Sequence, residues 1–278
     1  KAFSIFGRYS PPQSWGLSFE DSMCRWLAYT GAPVFLDELI CKPAHSLVEQ
    51  SLCATEAKSP TNGDGFGIGW YGDRPEPGLY REILPAWNDP NLRNLAYQIR
   101  AGLFFAHVRA STGTASSRPN CHPFGHGRWM FMHNGQIGGY QRLRRRLEAL
   151  IPDRFYNHRL GTTDSEVIFY LLFGNGLEDD PVGALSATLA QVQGVMAEEG
   201  VAEPLRFTAA LSDGRSIYAV RHASDQAPPS LYWRAATCGD GSISIVSEPL
   251  EEPETWPSVP ADRVLVVGPG LDVSFADH

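Results

Sequence analysis

Short apolar runs of strand type and longer runs of helical period fall in blocks along this chain, and that order is its strongest constraint on fold. Parallel strands need a crossover, usually a helix, between each pair, whereas blocks of strands joined by turns favour antiparallel pairing with helices packed outside. The strand candidates begin with MCRWLAYTG from Met23, ended by Gly31 and Pro33. They continue with Phe66–Tyr71 and Leu79–Leu84, a possible hairpin, then AGLFFAHVR (101–109) and GRWMFMHNG (127–135). A second group lies at 205–211, 215–221, 231–235, 242–247 and 263–267, with SDGR and GDGS as turn signals. Helical patterns occur near Phe35–Ile40, Asn91–Arg100, 138–150, 163–173 and 182–199. The expected fold is α+β with mainly antiparallel sheets, and no linker divides residues 23–278.

Composition narrows the classes of function. A formal charge of -8 disfavours a general phosphate-backbone binder, whose affinity comes from Lys and Arg. Arg142, Arg144, Arg145 and Arg146 are a local exception, but Leu143, Leu147 and Leu150 recur between them at helical spacing, so the arginines read as a solvated helix face. The five cysteines are scattered and form no CxxC pair, which fits a reducing compartment; a cytoplasmic location is expected. No run approaches the length of a membrane span, so no membrane association is expected. Residues 1–22, rich in Ser, Pro and Gly without periodicity, read as an irregular leader.

Polar chemistry collects at the ends of strands. Cys24 follows Met23, and a methionine before a small residue is of the type that aminopeptidases remove. A leading cysteine carries thiol and α-amine together, and the amine, with a pKa of about 7.7–8, can take the thiol proton. The same cysteine is equally one of five small apolar side chains. In His107-Val108-Arg109-Ala110-Ser111, an arginine at the mouth of a buried strand can offer its fork to a carboxylate, or form a surface ion pair. In His133-Asn134-Gly135, a side-chain amide and a backbone N–H can converge as an oxyanion hole, although Asn-Gly is also a plain turn signal. In Gly161-Thr162-Thr163-Asp164-Ser165-Glu166, Asp164 can bind a substrate ammonium or help cap the following helix. The set His107, His122, His126 and His133 includes a metal-like Cys121-His122-x-x-x-His126 spacing, but the intervening PFG is not helical and no acidic residue stands close by. No metal or other cofactor is expected.

Taken together, MCRW, NGDGFGIGWY, FFAHVRASTG, NCHPF, FMHNGQI, GTTDSE and IVSEPL resemble, in order, the class II glutamine amidotransferases, a branch of the N-terminal-nucleophile hydrolases. The similarity spans Met23 to about Leu250 and is greatest to the single-domain branch. That branch includes the γ-glutamyl amidase of ergothioneine biosynthesis and the amidotransferase-like subunit of glutathione degradation. The resemblance implies a four-layer αββα sandwich. It implies Cys24 as nucleophile with its own α-amine as base, Asn134 and Gly135 as oxyanion hole, Arg109 as clamp on the substrate α-carboxylate and Asp164 as partner of the substrate α-amine. Arg25, His107 and Ser111 become neighbours that shape the substrate pocket. The substrate is then a small γ-glutamyl amide, and with about 30 residues after IVSEPL the expectation is a stand-alone amidase or a subunit supplying a separate synthase. The leader must be absent for Cys24 to act, so a chain that keeps it is expected to be an unprocessed form. Two other readings follow from the residues: a noncatalytic subunit that binds a γ-glutamyl ligand, and metal-dependent hydrolysis by the histidine set.

Overall fold

The structure, a computed structural model, describes residues 24–55, 61–111, 115–236 and 241–277. The expected leader, Met23, Thr112 and Cys238 lie outside them. The strands in chain order are β1 (Arg25–Phe35), β2 (Phe66–Trp70), β3 (Gly78–Glu82), β4 (Arg100–Val108), β5 (Phe124–His126), β6 (Trp129–Ile137), β7 (Leu205–Ser212), β8 (Ile217–Ala223), β9 (Tyr232–Ala236), β10 (Ser242–Val246), β11 (Arg263–Val267) and β12 (Val273–Asp277). The helices are α1 (Asp37–Ile40), α2 (Leu47–Leu52), α3 (Pro90–Gln98), α4 (Tyr140–Glu148), α5 (Asp153–Tyr156), α6 (Asp164–Gly174) and α7 (Pro181–Glu198).

Among the described residues the strands form two six-stranded sheets with orders β3-β2-β4-β1-β10-β9 and β12-β11-β8-β7-β6-β5, with antiparallel pairing throughout. Side-chain alternation along the central strands then dictates the layers. In β1, Trp26 and Ala28 join Met130 and Met132 of β6 in an apolar layer between the sheets. Leu27 and Tyr29 instead face Ile40, Leu47 and Leu92 of α1, α2 and α3. On the far side, Phe131 and Phe207 pack against α4, α6 and α7 through Leu143, Phe169 and Leu185. The result is helix, sheet, sheet, helix, as the family resemblance implies. Helix α6 is buried on nearly every side between α4, α7 and β6, which explains why its sequence, VIFYLLF, shows no polar face. Full burial of one such Phe or Leu is worth roughly 1.5–3 kcal/mol.

The differences from the sequence reading are local. β1 does not end at Gly31 and Pro33: pairing with β4 shifts register between Thr30 and Val34, and the strand resumes to Phe35. The expected helical stretch from Phe35 therefore begins only at Asp37. Helices α2 and α5, each under two turns, and the short strands β5 and β12 are absent from the sequence reading because so few residues carry no usable period. Arg100 belongs to β4 rather than to the preceding helix.

Candidate active site

Cys24 stands one residue before β1, so alternation puts it on the inter-sheet face with Trp26 and puts Arg25 on the helical face with Leu27. The Ala110 N–H donates to Cys24 Sγ at 3.5 Å and the thiol donates to the Ala110 carbonyl at 3.6 Å. Burial pushes the Cys24 thiol up, while the Ala110 hydrogen bond and the cations of Arg109 and Arg25 pull it down.

Arg109, just past the end of β4, is 3% exposed. Its guanidinium donates to the Asp64 carbonyl at 3.2 Å and to Ser111 Oγ at 3.1 Å. Its backbone pairs with Asp64 and Gly65, and the Asp64 carboxylate accepts the Ser111 N–H at 2.7 Å. The NGDG segment is thus folded around the arginine. His107 lies on the inter-sheet side of β4 and stacks on His122 with ring centroids 4.3 Å apart. Burial holds His107 at about 3 and His122 well below its ordinary value, so both are neutral at pH 7. Gly67, opposite His107 in β2, makes room for this pair, since a Cβ there would lie 2.2 Å from the His122 carbonyl oxygen.

From the second sheet, β6 turns Met130, Met132 and Asn134 inward and Phe131 and His133 toward the helices. His133 Nδ1 is 2.8 Å from Ser165 Oγ in α6. Asn134 is 1% exposed, yet its Nδ2 has no hydrogen-bond partner among the described residues. A buried amide donor left in that state costs about 1–3 kcal/mol, a cost that a bound acceptor removes. Gly135 has φ +144, and a Cβ would sit 2.0 Å from the Arg206 carbonyl oxygen, so no other residue fits. The Asp164 carboxylate accepts the N–H of Ile137 at 2.8 Å and of Ser165 at 2.8 Å, stitching the end of β6 to the start of α6. The preceding loop is held by Asn120, whose Oδ1 accepts the Thr162 N–H at 2.8 Å.

Strands β1 and β6 approach each other across the inter-sheet layer. The ends of β1 and β4 hold a thiol and a guanidinium with neutral imidazoles of β4 and the segment before β5, and β6 turns inward a carboxamide donor that has no partner among the described residues; such a set is suited to attack on a carbonyl and to holding the resulting oxyanion. Residues 40–236, more than half of the chain, match the family model described as "Glutamine amidotransferases class-II". The chain belongs to this family.

Relatives of this class-II glutamine amidotransferase include a probable glutamine amidotransferase, DUG3, of Saccharomyces cerevisiae, 31% identical over 88% of this chain and 82% of its own. They also include a γ-glutamyl-hercynylcysteine sulfoxide hydrolase of Mycolicibacterium smegmatis, 29% identical over 88% of this chain and 95% of its own. Among solved structures, a glutamine aminotransferase class-II domain protein from Silicibacter pomeroyi superposes with a TM-score of 0.72 at 38% identity, covering 91% of this chain and 99% of that one. The glutamine phosphoribosylpyrophosphate amidotransferase of B. subtilis shares the fold at 12% identity and TM-score 0.59, over 91% of this chain and 49% of that one. The protein is an enzyme of this amidotransferase class.

Within the amidotransferase fold the expected residues fall in three groups. Cys24, His107, Arg109 and Ser111 cluster at the mouth of β1 and β4, and Asn134, Gly135 and Asp164 at the junction of β6 and α6. Arg25 faces away from this cluster, fully buried in an ion pair with Glu248 at 2.6 Å. Among the described residues no three His, Cys, Asp or Glu side chains form a group that could hold a metal ion. The Cys121-His122-x-x-x-His126 spacing does not converge: His122 stacks on His107, whereas His126 sits against Phe155, His158 and Phe173. None of the helices described is long and apolar enough to cross a membrane.

Asp64, Asn120, Ser165 and Glu248 are supporting residues to which sequence reasoning gave no role, although they lie inside the motifs NGDGFGIGWY, NCHPF, GTTDSE and IVSEPL. Burial pushes the Glu248 carboxyl up, but hydrogen bonds from the Thr55 hydroxyl and N–H, the Arg25 cation and His45 outweigh it and hold the group at about 2. A carboxyl depressed from 4.5 contributes stability that is complete above pH 4.5 and is lost as pH falls through about 2. Acid unfolding of the wild type should therefore show a pH-dependent loss of about 3 kcal/mol across that window beyond the loss seen for Glu248→Gln. Denaturant melts at stepped pH check it; parallel curves would remove Glu248 as the cause.

Proposed function

We propose that this chain hydrolyses the γ-amide of glutamine or of a γ-glutamyl compound, with Cys24 as nucleophile once it leads the chain. The observation that carries the reading is Asn134: a buried carboxamide whose Nδ2 has no partner among the described residues, on the inter-sheet face of β6. The glutamine and γ-glutamyl chemistry in the relatives' names supplies the substrate class.

In this reading the α-amine of Cys24 takes the thiol proton and Sγ attacks the γ-carbonyl carbon. The oxyanion is held by Asn134 Nδ2 and the Gly135 N–H. Collapse breaks the C–N bond as the ammonium returns its proton to the leaving ammonia or amine. Water, deprotonated by the same amine, then attacks the γ-glutamyl thioester, and C–S cleavage releases glutamate and restores the thiol. Arg109 clamps the substrate α-carboxylate, with Ser111 and His107 shaping the site around it, while Asp164 receives the substrate α-amine. The released ammonia or amine either leaves to solvent or serves a separate synthase subunit.

Incubation of the Cys24-leading protein with glutamine and a γ-glutamyl amide panel, quenched in acid and weighed intact, should show a γ-glutamyl adduct on Cys24. Ligand binding with neither adduct nor glutamate would favour a noncatalytic subunit instead. Asn134→Ala should lower kcat about 10²–10³-fold while KM changes little, because the amide bonds the oxyanion rather than the ground-state carbonyl. A change confined to KM would assign Asn134 to substrate binding.

A further inference from the structure

The face of β1 opposite the thiol carries a charge pair that the chemistry above does not use. Arg25 and Glu248 have side-chain exposures of 0% and 1%, and Arg25 Nε lies 2.6 Å from Glu248 Oε2. Nη1 of the same guanidinium donates to the carbonyl of Cys24 at 2.9 Å. The backbone around them is tied on both sides: Arg25 pairs with Val108 of β4, the Trp26 N–H donates to Ser247 Oγ at 2.8 Å, and the Ser247 N–H donates to the Trp26 carbonyl at 3.0 Å. Glu248 is itself gripped by His45 and by the N–H and hydroxyl of Thr55, and its carbonyl accepts from Gln50 Nε2 at 3.3 Å. The guanidinium therefore stays fixed against Cys24, with its counter-charge on a separate segment.

Joining two segments in this way is expensive, since apolar side chains of similar volume do it without desolvating two charges. What apolar residues cannot supply is a cation beside the residue that attacks. We infer that Arg25 is a positioning residue for the nucleophile: held by Glu248, it fixes the Cys24 carbonyl and keeps the α-amine of a chain-leading Cys24 neutral, ready to accept the thiol proton. This rests on the reading of Cys24 as the leading nucleophile. A nearby cation disfavours an ammonium and favours a thiolate, so both shifts help the proton move from sulfur to nitrogen. The other charged groups felt at Cys24 are Arg109, which acts in the same sense, and Asp64, which opposes it. Both stand outside the Arg25–Glu248 pair.

The test is kcat/KM against pH for the Cys24-leading protein and three variants, reading the acid limb where the amine becomes protonated. Arg25→Gln removes the cation and should raise that limb by about one pH unit. Glu248→Gln leaves the cation without its counter-charge and should lower it. Arg25→Lys keeps the charge and should leave the limb in place, with kcat reduced because one ammonium cannot reproduce the planar fork shared between Glu248 and the Cys24 carbonyl. If Arg25→Gln does not fold, Glu248→Gln should still lower the limb while Arg25→Lys leaves it in place, and a limb unmoved in Glu248→Gln then overturns the inference. Limbs that stay put in both glutamine variants, whatever happens to kcat, overturn the inference and leave a purely structural ion pair. Absence of turnover in the parent protein would refute the functional reading instead; the pH dependence of Cys24 alkylation by iodoacetamide then reads the same amine and thiol titration without catalysis.

Discussion

A chain that begins at Cys24 will release glutamate from a γ-glutamyl amide, and Cys24→Ala will lower its kcat by about 10⁴–10⁶-fold. The same protein with any peptide still attached ahead of Cys24 will be inactive to a similar degree. The reason is the scarcity of bases. His107 is held at about 3 and His122 well below its ordinary value by burial, so neither imidazole can accept a proton at neutral pH. Burial also pushes the thiol up, which leaves it protonated until a base acts. An acylated Cys24 nitrogen is an amide with no useful basicity, whereas a free α-amine titrates at about 7.7–8. Ammonia and glutamate assays on both forms, with the N-terminus defined by intact mass, decide the matter. Full activity in the blocked form would show that some other group takes the thiol proton.

Arg109→Ala will lower kcat/KM by about 10³-fold, mainly through KM. The guanidinium is almost fully enclosed and is aimed by the Asp64 carbonyl and Ser111 Oγ, so a carboxylate bound there meets a desolvated, fixed fork. Arg109→Lys will recover little, because a single ammonium cannot keep the contacts to Asp64 and Ser111 and also hold a carboxylate in two places. A γ-glutamyl analogue lacking the α-carboxylate should lose most of its advantage in the wild type and be nearly indifferent to the substitution. An Arg109→Ala variant within a few-fold of wild type on the full substrate would mean that the carboxylate binds elsewhere.

Much of this protein is written locally. The block order of strands and helices led directly to antiparallel sheets with helices outside, and the central strands lie within a few residues of their expected places because their apolar runs are long enough to show a period. Gly135 was legible as special because Asn-Gly follows an apolar run, but the strand does not end there: pairing with β7 carries β6 on to Ile137, and a Cβ at Gly135 would collide with the Arg206 carbonyl. Even the orientation of Arg25 was available, since a period of two puts adjacent residues of a strand on opposite faces. The family resemblance pointed to the substrate pocket, and alternation points to the helical layer.

The partners were not written locally. Glu248 reaches Arg25 across 223 positions, Asn120 holds Thr162 across 42, and Asp164 binds the Ile137 N–H across 27. Residue type and strand period establish what chemistry a side chain carries and which face of its sheet it leaves from. They do not establish what stands opposite, because β10 comes to lie beside β1, and β6 across from it, only when the two sheets close on one apolar layer. Cys24 is a reactive residue type in any fold; its placement against Ala110 and near Arg109, with Arg25 locked behind it, belongs to the tertiary structure.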